Sequence, residues 1–360
     1  MGGNSFGTLF RITTWGESHG PAIGVVVDGC PAGLSLTAGD IQHELDRRKP
    51  GRSHLASERA EADQVMVLSG VMEGVTTGAP IAMIIWNRDA DPAAYEKLKN
   101  IYRPGHADYT YDIKYGLRDW RGGGRASARE TAARVAGGAV AGKILAGRGI
   151  GTIAWVEQVG MVCIRSFSQH EINRNSLRCP DEEAAAEMVK LIAEVKEAGD
   201  SIGSVVGIQI DGVPPGLGRP VFDRLNARLA QGFFSIPGVK GVEFGAGFAV
   251  AAMRGSECND AMAATGGGIA FTTNHAGGTL GGISSGQTLR ARIAFKPPSS
   301  IARRQMAVSD TRTTVELSVQ GRHDPVIGPR AVPVVEAMAR LVLADFLLLR
   351  RSDRIEPAAD

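Results

Sequence analysis

The 360-residue sequence has few cysteines, few aromatic residues and almost no net charge. Its cysteines, Cys30, Cys163, Cys179 and Cys258, are far apart and form no CxxC pair, which argues against a zinc site and a disulfide framework and favours a reducing cytoplasm. The formal net charge of +2 creates no global field that would attract nucleic acid or a membrane. No apolar run of about 18 residues and no secretory signal occurs, so we expect no membrane association.

Several functional patterns are also missing. The sequence contains no GxxxxGK[ST], no GxGxxG after a strand and no HExxH, so we predict no metal site and no common nucleotide-binding loop. Aromatic residues make up only 6% of the chain, although arginines cluster at 47–59 and at 118–134. This low share argues against a nucleic-acid interface in which basic and aromatic residues alternate.

Glycine, in contrast, is abundant. The chain has 47 glycines, about twice the usual ~7% share. Glycine allows the backbone to approach a ligand closely but costs conformational entropy on folding. The composition therefore predicts loops that become ordered when a ligand binds.

The hydrophobic pattern predicts an α+β fold. Buried or alternating runs predict strands at 23–28, 80–86, 205–211, 242–250, 289–295 and 313–319. Helical periodicity predicts helices at 40–49, from 127 onward, at 181–198 and at 332–350, the second of them beginning with a capping box from Ser127 to Glu130. Because these elements follow no regular βαβ rhythm and no linker separates them, we expect one domain over residues 1–360.

Six short segments carry side chains suited to chemistry. They are 16–20 (GESHG), 103–108 (RPGHAD), 120–131 (WRGGGRASARET), 273–282 (TNHAGGTLGG), 296–300 (KPPSS) and 321–325 (GRHDP). Histidines can exchange protons near neutral pH, and Asp108 is close enough in sequence to orient His106. A triple glycine that leads into a helix N-terminus with three arginines suits an anion. Each segment alone is also compatible with an ordinary turn, but together they indicate an anion-binding enzyme that uses histidine acid/base groups and a phosphorylated cofactor.

The longest distinctive segments are 16–31 (GESHGPAIGVVVDGCP), 124–140 (GRASARETAARVAGGAV) and 322–338 (RHDPVIGPRAVPVVEAM). In these segments, and in RPGHADYTYDIKYGLRDWRGGGR and NHAGGTLGGISSGQ, the chain resembles the chorismate synthase family. The resemblance implies a β-α-β sandwich with helices between antiparallel sheets, assembled as a homotetramer. It also implies a lyase of the shikimate pathway, which makes aromatic amino acids. Such an enzyme eliminates phosphate from carbon 3 and a proton from carbon 6 of 5-enolpyruvylshikimate 3-phosphate, and it requires reduced FMN although the reaction is redox-neutral.

The resemblance also implies roles for individual residues. His19 matches the residue that assists the departing phosphate, His106 the one that protonates or stabilises reduced flavin, and Asp324 the carboxylate that helps flavin take the carbon-6 proton. Ser18 and Ser127 match hydroxyls that position these groups. The implied flavin contacts are Arg125, Ala126, Ser127, Gly238, Gly281, Lys296, Pro297, Pro298, Ser299, Ser300 and Arg322. The implied contacts to NADPH, as a reductant, or to substrate are Arg48, His54 and Arg129.

Two departures from the family pattern affect these expectations. His54 stands where many bacterial members have a second arginine, with Arg52 two residues earlier, so this departure concerns the nicotinamide contact and not the lyase activity. Pro298 replaces a residue that commonly has a hydroxyl. A flavin electron carrier and a nucleic-acid-binding protein are the alternatives. The first would bind FMN without needing His19 and His106, and the second would bind DNA with a steep salt dependence.

Overall fold

The computed structural model describes residues 2–49, 61–266, 268–319 and 324–354. The predicted contacts His54 and Arg322 lie outside these residues, as do Arg52 and the Gly321–His323 part of the GRHDP segment. The strands of the described residues are β1 (Ser5–Phe6), β2 (Arg11–Gly16), β3 (Ala22–Asp28), β4 (Val65–Val67), β5 (Val71–Met72), β6 (Val75–Thr76), β7 (Ile81–Trp86), β8 (Ile101–Tyr102), β9 (Gly151–Val159), β10 (Val162–Cys163), β11 (Ser204–Asp211), β12 (Val239–Phe244), β13 (Met262–Thr265), β14 (Gly268–Phe271), β15 (Thr279–Leu280), β16 (Ile283–Ser284), β17 (Leu289–Phe295), β18 (Gln305–Ser309) and β19 (Thr314–Leu317).

The described residues form seven α-helices. They are α1 (Ala38–Arg48), α2 (Asp108–Tyr115), α3 (Thr131–Ala146), α4 (Glu182–Glu197), α5 (Leu225–Phe234), α6 (Gly255–Cys258) and α7 (Gly328–Leu349), and 3₁₀ turns lie at Ala93–Leu98, Gly124–Ala126, Ala128–Glu130, Glu171–Asn173, Gly247–Ala252 and Arg350–Ser352. None of the described helices is long and apolar enough to cross a membrane.

Two five-stranded antiparallel sheets enclose the central helices. Their strand orders are β1-β2-β3-β7-β4 and β10-β9-β11-β17-β12. Helix α3 contacts β2 and β3 of the first sheet, α7 contacts β9 and β11 of the second, and the two helices contact each other. The predicted α+β sandwich, with helices between antiparallel sheets, is therefore confirmed.

The core is built from alternating strand residues and from helices that are apolar on all sides. Ile23, Val25 and Val27 of β3 point inward and are buried, as period-2 alternation requires. A Cβ added to Gly137 of α3 would lie 3.0 Å from Ile12 Cγ2, and one added to Gly138 would lie 2.5 Å from Ala337 Cβ on α7. These two glycines therefore let α3 approach β2 on one side and α7 on another.

Two buried carboxylates tie α7 to distant parts of the chain. Asp345 accepts hydrogen bonds from the backbone N–H groups of Thr8, Leu9 and Phe10 at 2.8, 2.7 and 3.0 Å. Glu336 accepts a hydrogen bond from Ala154 N at 3.0 Å and pairs with Arg47. Because a buried charge is costly unless it is paired or hydrogen-bonded, these contacts fix α7 between the N-terminal turn and the second sheet.

Several predicted boundaries were wrong. The strand expected at 242–250 ends at Phe244, because Gly245 and Gly247 adopt positive φ angles of 55° and 56° and a Cβ at Gly245 would meet His275 O at 2.1 Å. The strand expected at 313–319 is shorter, and the last helix begins at Gly328 because a proline is tolerated in its first turn. The helix expected from Ser127 begins at Thr131, after two 3₁₀ turns.

Candidate active site

A cavity of about 910 Å³ opens between the N-terminal segment, the 3₁₀ turns before α3, and the loops after β8 and β17. It contains most of the described residues that the sequence predicts for the site. These are Arg48, His106, Arg125, Ala126, Ser127, Arg129, Gly238, Lys296, Pro298, Ser299, Ser300 and Asp324. Ser18, His19, Pro297 and Gly281 are not among the described residues that line it. Gly281 lies between β15 and β16, away from this wall.

The lining is strongly cationic. It includes Arg48, Arg103, Arg125, Arg129, Arg134, Arg228, Lys296 and Arg330, against the acidic residues Glu61, Glu130 and Asp324. Three buried N–H groups in this wall, Arg48 Nε, Arg129 Nη2 and Arg330 Nε, have no hydrogen-bond partner among the described residues. Because buried donors normally have partners, these atoms suit the oxygens of an anionic ligand.

His106 is held by charged neighbours. Its Nδ1 lies 2.9 Å from Asp108 Oδ1 and 3.0 Å from Arg103 Nη2. Burial lowers the pKa of His106 below its ordinary 6.5, and the hydrogen bond with Asp108 opposes this effect only in part. The ring is therefore neutral at pH 7. The predicted orienting contact between Asp108 and His106 is present.

His19 lies just behind the wall of the cavity. Its Nδ1 is 2.9 Å from Ser18 Oγ, and its ring meets Tyr95 edge-on at 5.0 Å between centroids. Tyr95 itself lines the cavity, so His19 is one residue away from it. The predicted pairing of Ser18 with His19 is thus present, and His19 contacts Gly122 and Tyr95 of the lining without itself being among the described residues that line the cavity.

The triple glycine separates the two histidines. Gly122 and Gly123 have positive φ angles of 67° and 91°. A Cβ at Gly122 would lie 2.3 Å from His19 Cε1, and one at Gly123 would lie 2.8 Å from His106 Cε1. Glycine is required here both for the backbone conformation and for the approach of both rings.

Ser127 caps a 3₁₀ turn at the cavity. Its Oγ accepts a hydrogen bond from Arg129 N at 3.3 Å. The predicted capping box is wrong, since Glu130 pairs with Arg134 at 2.8 Å and does not return to the Ser127 backbone. In this tight turn the Ser127 side chain accepts from the N–H of the second residue after it, Arg129, and not from that of the third, Glu130. Nearby, Arg125 donates to Thr14 Oγ1 at 2.8 Å and to Asn4 Oδ1 at 3.1 Å, and it has no carboxylate partner among the described residues.

The KPPSS segment docks on the RPGHAD loop. Lys296 Nζ donates to Gly105 O at 3.0 Å, and Ser299 Oγ donates to the same oxygen at 2.7 Å. Lys296 N donates to Gly238 O at 2.9 Å, which places the predicted Gly238 beside this segment. Burial lowers the pKa of Lys296. Two segments almost 190 residues apart thus form one wall of the cavity.

Arg48 and Arg129 share one buried carboxylate. Asp63 accepts from Arg48 Nη2 at 2.8 Å and also pairs with Arg129. Burial alone would raise the pKa of Asp63, but the two arginines hold it below its usual value. Burial also lowers the pKa of Arg48, to about 10. Glu61 Oε2 lies 3.9 Å from Arg129 Nη2, so two carboxylates face the two arginines. Arg48 Nε and Arg129 Nη2 nevertheless make no hydrogen bond to the described residues.

Some residues of the site were missed from the sequence. Arg103 stands three residues before His106 in the RPGHAD segment, and Arg330, which pairs with Asp324, is inside the quoted 322–338 segment, so both could have been found there. Asp63 and Tyr95 are outside every segment, and no sequence signal marks them. No group of three or more His, Cys, Asp or Glu side chains within the described ranges could hold a metal ion.

Comparisons with known proteins identify the family of the chain. The family model described as chorismate synthase matches residues 10–348. The chain is 56% identical over 357 residues to chorismate synthase of Roseiflexus castenholzii (strain DSM 13941 / HLO8), covering 99% of this chain and 100% of that protein. It is 53% identical over 362 residues to chorismate synthase of Methanosarcina mazei (strain ATCC BAA-159 / DSM 3647 / Goe1 / Go1 / JCM 11833 / OCM 88), covering 99% of both.

A solved structure described as a crystal structure of chorismate synthase has the same fold. It matches with a TM-score of 0.75 and 35% sequence identity, covering 96% of this chain and 94% of that chain. The similarity therefore extends over almost the full length in sequence and in fold. The chain belongs to the chorismate synthase family, whose members are lyases.

Proposed function

We propose that the chain converts 5-enolpyruvylshikimate 3-phosphate into chorismate, the final step of the shikimate pathway, by an anti-1,4-elimination of phosphate and the carbon-6 proton. Reduced FMN is the proposed cofactor, without net redox change. The observation that carries the proposal is the cationic cavity with His106 on its wall and His19 directly behind it.

The substrate chemistry fits the lining. The substrate carries one phosphate and two carboxylates, and the cavity offers more cations than acids together with buried N–H groups that lack partners. Guanidinium groups bind such oxygens with paired, charge-assisted hydrogen bonds. We therefore assign Arg48 and Arg129 to substrate binding.

The residues proposed to hold FMN surround the same cavity. Arg125, Ala126 and Ser127 offer a cation and a helix-like turn, and Lys296 with Ser299 and Ser300 offers a second polar edge. The glycine turn at 122–124 lets the rings of His19 and His106 approach the backbone beside these residues. Reduced FMN, when bound, would supply electron density that helps the carbon–oxygen bond break. Gly281 is not among the described residues that line this cavity, so the cavity does not support the proposed flavin contact there. Pro297 does not line it either, and its proposed contact is supported only because its neighbours Lys296 and Pro298 do.

Three side chains are proposed to manage protons. Ser18 orients the His19 ring, which would provide positive charge or a proton towards the leaving phosphate. His106, neutral and buried, can accept a proton at the cavity wall. Asp324, paired with Arg330, keeps a carboxylate on the same wall. The proposal of NADPH as reductant rests on the resemblance alone.

The single domain, the homotetramer and the cytoplasmic location are also proposals, and each has some support in the structure. One hydrophobic core cluster includes residues from both sheets and from α1, α3, α5 and α7, which supports a single domain over 1–360. The outer face of the first sheet exposes Trp15 at 40%, Trp86 at 46% and Met66 at 52%, which favours burial against a second copy in a homotetramer. Light scattering after size exclusion tests the assembly. All four cysteines are free thiols, as the proposed cytoplasmic location requires.

The decisive experiment separates a lyase from a flavin electron carrier. Substrate and chemically reduced FMN are mixed with the protein anaerobically, without NADPH, and chorismate, phosphate and the flavin spectrum are followed together. We expect equal amounts of chorismate and phosphate over many turnovers while the flavin stays reduced. No phosphate release, together with flavin oxidation once an artificial electron acceptor is added, would identify an electron carrier. A parallel reaction with NADPH and oxidised FMN tests whether the chain reduces its own flavin.

A further inference from the structure

Asp108 is the centre of a buried ionic network beside the cavity. It is only 3% exposed, and its Oδ2 accepts hydrogen bonds from Arg103 N at 3.1 Å and from Arg103 Nε at 2.8 Å. Its Oδ1 accepts from Arg103 Nη2 at 3.0 Å and lies 2.9 Å from His106 Nδ1. A carboxylate has about four acceptor sites, so these donors saturate it.

Arg118 braces this carboxylate from the other side. Its Nη1 lies 3.4 Å from Asp108 Oδ1. Its Nη2 donates to the carbonyl oxygens of Leu98, Lys99 and Ile101 at 2.9, 2.7 and 3.1 Å. The Arg118 guanidinium thus connects Asp108 to the backbone that enters β8, and it does not reach the cavity lining.

We propose that Arg118 and Asp108 are positioning residues that fix the His106 ring with its proton on Nδ1, leaving Nε2 as the acceptor beside the Gly122–Gly124 turn. The contacts among Arg118, Asp108 and His106 do not depend on the proposed function. The importance of these contacts for catalysis rests on that function. Neither residue is among the described residues that line the cavity. Asp108 is hydrogen-bonded to Arg103 and His106, whereas Arg118 Nη2 is bonded to the three carbonyl groups and its Nη1 makes only the ion-pair contact with Asp108.

The tautomer follows from the chemistry of the contacts. An ionised carboxylate cannot donate, so the 2.9 Å contact between Oδ1 and Nδ1 is a hydrogen bond only when Nδ1 carries the proton. Arg103 Nη2 lies 3.0 Å from the same Nδ1, and in this tautomer it donates to Asp108 Oδ1, also at 3.0 Å, and not to the ring. Asp108 stays ionised, since His106 and Arg103 overcome its burial and hold its pKa far below the usual range. The other charged groups that face His106 are Arg103 and Lys296, and both disfavour a protonated ring. Without Asp108, the ring would therefore face two cations and no acceptor at Nδ1.

The test reads the ring directly. Protein with ¹⁵N-labelled histidine is titrated by NMR, and the His106 signals are assigned by their loss in His106→Gln. We expect Nδ1 to be protonated in the wild type. Asp108→Asn should give a mixture of tautomers and a lower His106 pKa, and Arg118→Lys should move both values in the same direction but less. Asp108→Glu should restore part of the wild-type behaviour.

Asp112→Asn is the matched control. Asp112 is on the same helix but accepts its hydrogen bond from Tyr102 Oη at 2.5 Å, so this variant should leave His106 unchanged. The same variants are assayed for turnover. Asp108→Asn should lower kcat at least ~10-fold with a smaller change in KM, less than the ~10²-fold loss of a whole acid/base group.

The outcomes are distinguishable. A wild-type tautomer and titration of His106 in Asp108→Asn and Arg118→Lys would overturn the inference. Altered ring signals without any loss of turnover would support the positioning role and contradict the proposed function of His106. If Asp108→Asn does not fold, Arg118→Lys, which keeps the charge but cannot reach the three carbonyl groups together, provides the same readings.

Discussion

At the scale of single residues, His106 is the group whose chemistry depends most on its surroundings. It lies in the cavity wall, and burial keeps it neutral at pH 7. We expect His106→Ala to lower turnover with reduced FMN at least ~10²-fold, because a positioned acid/base group contributes ~10²–10⁴-fold. His170→Ala is the control, since that side chain is 77% exposed and far from the site. A near-wild-type rate in His106→Ala would remove this residue from the mechanism.

The same burial predicts a pH effect on ligand binding. The pKa of His106 is below 6.5 in the free protein, so the ring gains a proton only when the pH falls through that lowered value. A positive ring attracts the phosphate of FMN, so the affinity of wild type relative to His106→Gln should rise as the pH falls from about 8 to about 5. Both dissociation constants are measured by fluorescence titration. Protonation of FMN itself affects wild type and His106→Gln equally, so it cancels in the ratio of the two constants. A constant ratio would show that His106 does not titrate at the site.

At the scale of elements, Ser127 joins a structural role to a functional one. It caps the 3₁₀ turn through Arg129 N and also lines the cavity. Ser127→Ala should cost ~1 kcal/mol in the free energy of unfolding and should also weaken FMN binding. Thr37→Ala is the matched control, because Thr37 caps α1 outside the cavity. It should lower stability by a similar amount without changing FMN kinetics. If Ser127→Ala changes only the melting temperature, Ser127 is a cap and nothing more.

The contact between α3 and α7 makes a second prediction at this scale. In an ordinary helix, replacing glycine with alanine stabilises by about 1 kcal/mol. A Cβ at Gly138 would lie 2.7 Å from Ala337 Cα, so Gly138→Ala should instead destabilise by about 1–3 kcal/mol. A Cβ at Gly142 would lie 3.2 Å from Cδ of Arg340, a side chain that Thr152 and Glu44 hold in place, so Gly142→Ala should cost less than Gly138→Ala without reaching the full gain of an unhindered alanine. Urea unfolding of both variants measures the difference. Equal stabilities would contradict the close packing of the two helices.

The elements that the sequence predicted are those whose own residues decide their structure. β3, β7 and β17 contain continuous or alternating apolar runs and were predicted within one or two residues. β2 was missed because its pattern is inverted: Thr14 is buried and Trp15 is largely exposed. Helix α2 was missed because Ile113 faces outward and the helix has no clear apolar stripe. In both cases long-range contacts override the local pattern.

The same limit applies to the site. Segments with glycine, histidine and arginine were visible in the sequence, and four of the six contribute residues to one cavity, whereas 16–20 and 273–282 are not among the described residues that line it. The sequence could not show that Asp63 bridges Arg48 and Arg129, or that His19 and His106 lie on either side of Gly122 and Gly123. These contacts join residues that are distant in the chain, so they form only when the chain is folded.

At the scale of the whole molecule, the cavity is enclosed by loops that hold one another mainly through polar contacts. The 103–108 loop meets the 296–300 segment through Gly105 O, and the 122–124 turn meets both histidines. The sandwich core lies behind these loops, in which Arg103, Asp108, Gly123 and Gly124 are buried while the 296–300 segment is half-buried or exposed. Ordering a loop costs about 1–2 kcal/mol per residue, so contacts with a bound ligand should offset that cost. Ligand binding should therefore be coupled to closure of the cavity, which excludes water from the reacting groups.

Hydrogen exchange on the free, FMN-bound and ternary forms tests this account most directly. The central claim is that one cavity, built by these loops, takes both cofactor and substrate. We expect protection to rise stepwise at 103–108, 122–124 and 296–300, while α3, already buried in the core, stays unchanged as an internal reference. Exchange at 277–282 reports separately on the proposed flavin contact at Gly281. Equal exchange at the three loops in all forms, with both ligands shown to be bound, would contradict the assignment of this cavity as the active site.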